Sequence, residues 1–146
     1  MKILIINGPN MNLLGLREPD IYGRESYDFL CEKVRAHCEG FGAECTFFQS
    51  NHEGAIIDWL HAYGLHADTL GIILNAGAYT HTSLAIADAV EAISAPVIEV
   101  HISNIAARED IRRRSMLAPV CAGSIVGFGL HGYMLAAEAI INITRE

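Results

Sequence analysis

Leu70-Gly71-Ile72-Ile73-Leu74-Asn75-Ala76-Gly77-Ala78-Tyr79-Thr80-His81 is the stretch on which the fold turns. A short apolar run, which reads as a buried strand, ends abruptly in a polar cluster. The same arrangement occurs twice more. Lys2 to Ile6 leads into Asn7-Gly8-Pro9-Asn10, and Pro96 to Val100 leads into His101-Ile102-Ser103-Asn104. In an open parallel α/β sheet the carboxyl ends of the strands share one edge, and ligands bind there. Asn, His and Ser are costly to bury unpaired. Three strands with such endings point to one polar site assembled from distant parts of the chain.

Working outward, strand and helix patterns alternate. The first strand ends at Asn7, and Ser26 is placed to cap a helix reaching about Phe41, with Gly42 as its stop. A second strand spans Glu44 to Ser50 and a helix Glu53 to His66, with Ile56, Ile57 and Leu60 inward. The third strand, Leu70 to Asn75, precedes a helix from Thr82 to Ile93. The fourth strand is Val97 to Ile102, Arg108 to Arg114 is a short helical turn, Val120 to Val126 is the fifth strand, and Leu130 to Ile143 the last helix. This alternation predicts an α/β three-layer sandwich, a five-stranded parallel sheet covered by helices on both faces. A flavodoxin-like strand order, 2-1-3-4-5, suits the short right-handed crossovers. The 146 residues suit a single catalytic domain, residues 1–146. The segment at about 8–25 is long for a strand-to-helix connection and is read as a lid.

Composition limits the function. The hydrophobic fraction is 51% and the charged fraction 18%, yet no apolar run approaches a membrane span. Surface buried between subunits explains the surplus, with alanine-rich helix faces as the alternative. A net charge of -7 and a single short basic stretch argue against nucleic acid. The apolar start before Asn7 is too short for a signal-peptide core, so the expected location is the cytoplasm. Cys31, Cys38, Cys45 and Cys121 form no C-x-x-C pair and read as small packing residues.

Several groups carry chemistry. Tyr22 sits in Arg17-Glu18-Pro19-Asp20-Ile21-Tyr22-Gly23. A phenol is a poor base near neutrality unless a fixed cation stabilises its anion. Arg17 is five residues upstream, and Arg108 or Arg112 would add to the field if the lid closes over the sheet edge. The ordinary alternative is a packing or surface tyrosine. Glu99 and His101 share one face of a strand, with His101 at its end as a candidate general acid and Glu99 orienting the ring. A structural hydrogen-bonded pair is the rival reading. A metal site lacks a third ligand and any His-Glu-x-x-His. His81 and Asp88 are seven apart at and within the third helix, and so face one way. Thr80, Thr82 and Ser83 crowd that helix start, where free N–H groups can receive an anion or simply be capped. Arg108 and Arg112, in a stretch holding half the chain's arginines, suit a carboxylate, or else a solvated helix face.

Gly127-Phe128-Gly129-Leu130-His131-Gly132 fits Gly-x-Gly-x-x-Gly, but no further strand carries the acidic residue a dinucleotide site needs. Close helix packing is the expected reason for these glycines. Lys2 and Lys33 are the only lysines, and neither is placed to form a Schiff base. The open readings are a small-molecule lyase or isomerase and a non-catalytic flavodoxin-like module. A receiver module would want acidic residues where Asn7-Gly8-Pro9-Asn10 stands.

Asn7-Gly8-Pro9-Asn10, Arg17-Glu18-Pro19 with Tyr22-Gly23, Asn75-Ala76-Gly77, Thr80-His81-Thr82-Ser83, Ile98 to Asn104 and Arg108-Glu109 together closely resemble the type II 3-dehydroquinate dehydratases, over essentially the whole chain. The resemblance implies dehydration of 3-dehydroquinate to 3-dehydroshikimate by anti elimination, the third step of the shikimate route, with no metal or organic cofactor. It implies a dodecamer built as a tetramer of trimers. By similarity Tyr22 is the base, Arg17 stabilises the charge that makes it basic, and His101 is the acid. Asn75, His81, Asp88, the Ile102-Ser103 backbone and Arg112 are similar to the family's substrate-binding set, with Asn10, Glu99 and Arg108 in support. Asp88 is expected to reach a neighbouring subunit's site.

Overall fold

The strands form because their apolar runs are covered on both sides. In the computed structural model, which describes residues 1–145, β1 (Lys2–Asn7) is buried from Ile3 onward. Ile3 and Ile5 face α2 (Tyr27–Glu39) and α6 (His131–Arg145), whereas Leu4 and Ile6 face α3 (Glu53–Gly64) and α4 (Leu84–Ala92). Each such side chain contributes about 1.5–3 kcal/mol on leaving water. With β2 (Glu44–Gln49), β3 (Thr69–Asn75), β4 (Val97–His101) and β5 (Gly123–Val126), the sheet has the order β2-β1-β3-β4-β5, every pair parallel. The expected α/β flavodoxin-like arrangement is therefore what the chain adopts.

Several ends differ from the sequence reading, each for a local reason. Helix α2 is regular to Glu39, and the chain leaves it through N–H donation from Gly42 to Glu39 O (3.0 Å) and from Ala43 to Cys38 O (3.1 Å). Helix α3 stops at Gly64, whose carbonyl accepts instead from Ser94 and Ala95 N–H. Helix α4 begins at Leu84, not Thr82, because Ser83 Oγ caps Ile86 N–H (3.0 Å) and Gly77–His81 coil as a 3-10 turn. Strand β5 begins at Gly123, because Ala118–Val120 form a 3-10 turn capped by Ser115. Arg108 to Arg114 contains the four-residue helix α5 (Asp110–Arg113).

The segment after β1 is not a bare loop. It holds a 3-10 turn at Met11–Leu13 and the short helix α1 (Pro19–Tyr22). Met11 and Leu14 are buried in the core and pin its first half, while Leu16 points outward. The glycine-rich motif before α6 also differs from expectation. Gly127 and Gly129 adopt positive φ (88° and 60°), and a Cβ on Gly132 would meet neighbours only at ordinary contact distance (3.5 Å). Positive φ requires glycine at Gly127 and Gly129, and at Gly127 a Cβ would also lie 3.0 Å from Asn104 Cβ, so the close approach there is to the loop after β4 rather than to a helix.

The first and third strand ends touch directly. Gly8 N–H donates to Asn75 O (2.7 Å), and a Cβ on Gly8 would lie 2.5 Å from the Ala76 carbonyl oxygen. Gly8→Ala should therefore destabilise the fold by about 1–3 kcal/mol, read as a lowered denaturation midpoint. An unchanged midpoint would show that the two loops are free to part.

Candidate active site

Strand register builds the site's floor. Asn7 lies level with Gln49 on one side and Asn75 on the other. Both Asn side chains are buried and tied together by Tyr133 of α6. The Tyr133 hydroxyl donates to Asn7 Oδ1 (2.6 Å) and accepts from Asn75 Nδ2 (2.9 Å). Burial pushes the Tyr133 phenol up, beyond what the Asn75 hydrogen bond offsets, so it stays a donor. Asn75 Oδ1 accepts from Gly77 N–H (3.1 Å), which fixes the amide's orientation.

Above this floor a cleft of about 670 Å³, counting its open mouth, is walled by three strand-end segments. The segment after β1 contributes Asn10, Arg17 and Tyr22; that after β3, Asn75 and His81; that after β4, His101, Ile102, Ser103, Arg108 and Arg112. These are the residues nominated from sequence, with two exceptions. Glu99 lies behind the wall, against His101. Asp88 is exposed on α4 and does not line the cleft. Its expected common face with His81 fails because His81 precedes α4, in the 3-10 turn.

Two guanidinium groups flank Tyr22. The Arg17 Cζ lies 5.0 Å from the ring centroid and that of Arg108 5.6 Å. Arg108, not Arg17, reaches the hydroxyl: its Nη1 donates to Tyr22 Oη (3.2 Å) and to Ser103 Oγ (3.3 Å). The Tyr22 contact outweighs desolvation and holds the Arg108 guanidinium still more firmly protonated. Arg17 also approaches Glu18 (3.6 Å), and Arg112 Nε donates to Glu109 (2.6 Å).

A second polar pole occupies the end of β4. His101 and Glu99 are both buried, with Nε2 and Oε2 3.2 Å apart. Ser115 Oγ donates to Glu99 Oε2, and Ser124 Oγ to Oε1 (2.9 Å). Burial alone would raise the Glu99 carboxyl, but His101 and the two serine hydroxyls together hold it below the usual carboxylate range. Burial and the Glu99 charge push the Cys121 thiol up to about 12. The His81 ring stacks toward His101 (6.3 Å between centroids), and its Nδ1–H donates to Arg114 O (2.7 Å).

Sequence reasoning missed Ser115, Ser124, Tyr133 and the Gln49-Ser50-Asn51 cluster. The last carried a readable signal, a fourth strand ending in polar residues. Gln49 Nε2 donates to Gly8 O (3.2 Å), and Asn51 Oδ1 accepts from Asn10 N–H (3.0 Å), so β2 braces the loop after β1. No group of three His, Cys, Asp or Glu side chains that could hold a metal occurs among the described residues.

An open parallel sheet with a polar cleft at its carboxyl edge, lined by Tyr22, two histidines and three arginines, is the arrangement of flavodoxin-like α/β proteins that take a small molecule at that edge. The family model described as dehydroquinase class II matches residues 1–141. A 3-dehydroquinate dehydratase of Caldicellulosiruptor saccharolyticus is 54% identical, over 97% of both chains. One from an Exiguobacterium species is 57% identical, over 100% of this chain and 98% of the relative. The crystal structure of a type II dehydroquinase from Butyrivibrio crossotus superposes with a TM-score of 0.93 at 49% identity, covering 97% of each chain. The chain belongs to the class II dehydroquinase family.

A carboxyl held below its unfolded pKa stabilises the fold above the ordinary carboxylate range, and that contribution is lost as pH falls through the folded value. Denaturant titrations should show stability declining on acidification below about pH 4.3, and Glu99→Gln should flatten the decline. An identical slope in the variant would mean that Glu99 is not held ionised by its neighbours.

Proposed function

We propose that the chain dehydrates 3-dehydroquinate to 3-dehydroshikimate, the third step of the shikimate route, by anti elimination through an enolate. The observation that carries this reading is the pair of unlike poles in one cleft. A phenol flanked by Arg17 and Arg108 and a carboxylate-backed imidazole are both present.

Negative charge on the Tyr22 oxygen is stabilised by the Arg108 hydrogen bond and by the Arg17 charge over the ring. That phenolate takes the proton from C2, next to the ketone, and the electron pair moves onto the ketone oxygen as an enolate. Preoriented donors at that oxygen contribute several kcal/mol, and a water ordered by Asn10 is one such donor. Collapse of the enolate breaks the bond from C1 to its hydroxyl. His101, as imidazolium, gives its proton to that oxygen, which leaves as water. Tyr22 ends neutral and His101 neutral, and exchange with solvent restores both. His81, Arg112 and the Ile102-Ser103 backbone supply donors for the substrate's carboxylate and hydroxyls, and Asn75 meets the substrate from the floor, its Nδ2 shared with Tyr133 Oη and Met11 Sδ. Closure of the outer half of the 8–25 segment excludes water. Neither lysine enters the cleft, so enolate stabilisation rather than a Schiff base carries the reaction.

The proposal extends to a dodecamer built from trimers. Asp88, which lies outside its own cleft, is supplied to a neighbour's, and Leu84, Ile111 and Phe128 are large apolar side chains left exposed on the single chain. Sedimentation should find a dodecamer, and a monomer at micromolar concentration would refute it. Four free cysteines suit the reducing cytoplasm, where we place the enzyme. No helix among the described residues is long and apolar enough to cross a membrane.

Adding 3-dehydroquinate should raise near-ultraviolet absorbance as the conjugated enone forms. Tyr22→Phe should bind substrate in calorimetry yet turn it over at under about 1% of the wild-type rate. Retention of more than about a tenth would remove Tyr22 as the base. Arg17→Ala should move the acid limb of the rate profile to higher pH, and an unmoved limb would contradict its charge role.

A further inference from the structure

We propose that Ser115 and Ser124 are positioning residues for the reaction. Together they clamp the buried Glu99 carboxylate against Nε2 of His101, so that the ring offers its other nitrogen, charged, to the leaving hydroxyl. The inference rests on the reading of His101 as the acid and extends it to two residues that do not line the cleft.

The geometry is specific. Glu99 is 1% exposed, and an ionised carboxylate there must be fully satisfied by donors. Strand pairing sets Glu99 level with Ser124 on β5, whose hydroxyl donates to Oε1 (2.9 Å). Ser115 serves Oε2, the oxygen that also faces His101. The Ser115 oxygen itself accepts from Leu117 N–H (3.1 Å) and Ala118 N–H (3.0 Å). Those two amides polarise the hydroxyl and make it a better donor. The Ser115 segment is anchored as well, since Met116 N–H donates to Thr80 O (2.8 Å) and Arg114 O accepts from His81. The clamp is therefore tied to the turn that carries His81.

What the serines do follows from charge. In a buried site a carboxylate short of donors takes up a proton or rotates. Either change removes the counter-ion from Nε2, and the imidazolium gives up its proton at lower pH. The other titratable or charged groups about the pair are His81 of the 3-10 turn, Cys121 before β5, and Arg108 and Arg112 of the segment after β4. None of them donates a hydrogen bond to Glu99 among the described residues. The serines thus carry the task together with His101.

Ser124 is the exposed residue of the edge strand β5, where a water would replace a deleted hydroxyl. Ser124→Val fills that space and gives no donor, whereas Ser124→Thr restores one. Ser115→Ala tests the other arm. Each of Ser124→Val and Ser115→Ala should lower kcat about tenfold and leave KM within about twofold. The alkaline limb of the kcat profile should move to lower pH, and Ser124→Thr should behave as wild type. Nuclear magnetic resonance of the substrate-free protein should show the His101 ring titrating at lower pH in the same two variants. A purely structural role would lower thermal stability with an unmoved profile and an unmoved His101 titration, and that pattern overturns the proposal. A shifted His101 titration beside an unchanged rate profile upholds the clamp and refutes His101 as the acid.

Discussion

Because β1 pairs in parallel with both β2 and β3, and Asn7 falls level with Gln49 and Asn75, three polar side chains arrive in one row at the sheet edge. Parallel pairing delivers His101 to the same edge from β4. The apolar residues behind that row are sealed by helices on both faces, so polar groups of the row, like Glu99 on β4, must find partners inside the fold. Tyr133 meets part of this need, its one hydroxyl serving Asn7 Oδ1 and Asn75 Nδ2, while Asn7 Nδ2 stays buried without a partner among the described residues. The floor of the cleft and the hydrophobic packing of α6 are thus parts of one structure. The ring of Tyr133 belongs to the core and its oxygen to the site.

The cleft joins two opposed charge arrangements, and each carries a different cost. Around Tyr22 the cations lie in a partly open segment, where solvent shares the work of stabilising them. Around Glu99 the anion is buried, and removing it from water costs several kcal/mol. That cost is offset only because each oxygen has a donor of its own and His101 stands beside one of them. The same economy of donors explains why the carboxyl is depressed although it is buried. Counting donors, rather than counting exposure, decides its charge.

How legible this was in the sequence depends on the distance over which each signal acts. The strands and most cleft residues follow from local pattern, since a polar cluster at the end of a buried run has few other places to be, whereas the strand order rests on the α/β alternation and its right-handed crossovers. Asp88 shows where local reasoning fails. Its spacing from His81 assumed one continuous helix, and Ser83 starts α4 only after His81 has been placed in a separate turn. Ser115 and Ser124 were illegible because their relation to Glu99 exists only through the pairing of β4 with β5 and the 3-10 turn before β5. Tyr133 lies in a helix whose apolar spacing looks like plain core, and nothing in that spacing reports what its hydroxyl meets. Sequence spacing does not encode φ, so the motif reads as helix packing although Gly127 and Gly129 are needed for their positive φ.

Arg108 differs from Arg17 in a way that bears on catalysis. Arg17 and Tyr22 belong to the same segment after β1, so their proximity survives any movement of that segment as a unit. Arg108 belongs to the segment after β4 and is steadied by Ser103. Its bond to Tyr22 Oη therefore links two separate walls of the cleft, and displacement of residues 15–24 breaks it. Met11 and Leu14 keep the root of that segment in the core, which confines such movement to the part bearing Tyr22. The Tyr22 hydroxyl has its guanidinium donor only when the wall carrying it lies against the wall carrying Arg108. The Arg17 contact thus lies within one wall of the cleft, and the Arg108 bond joins two.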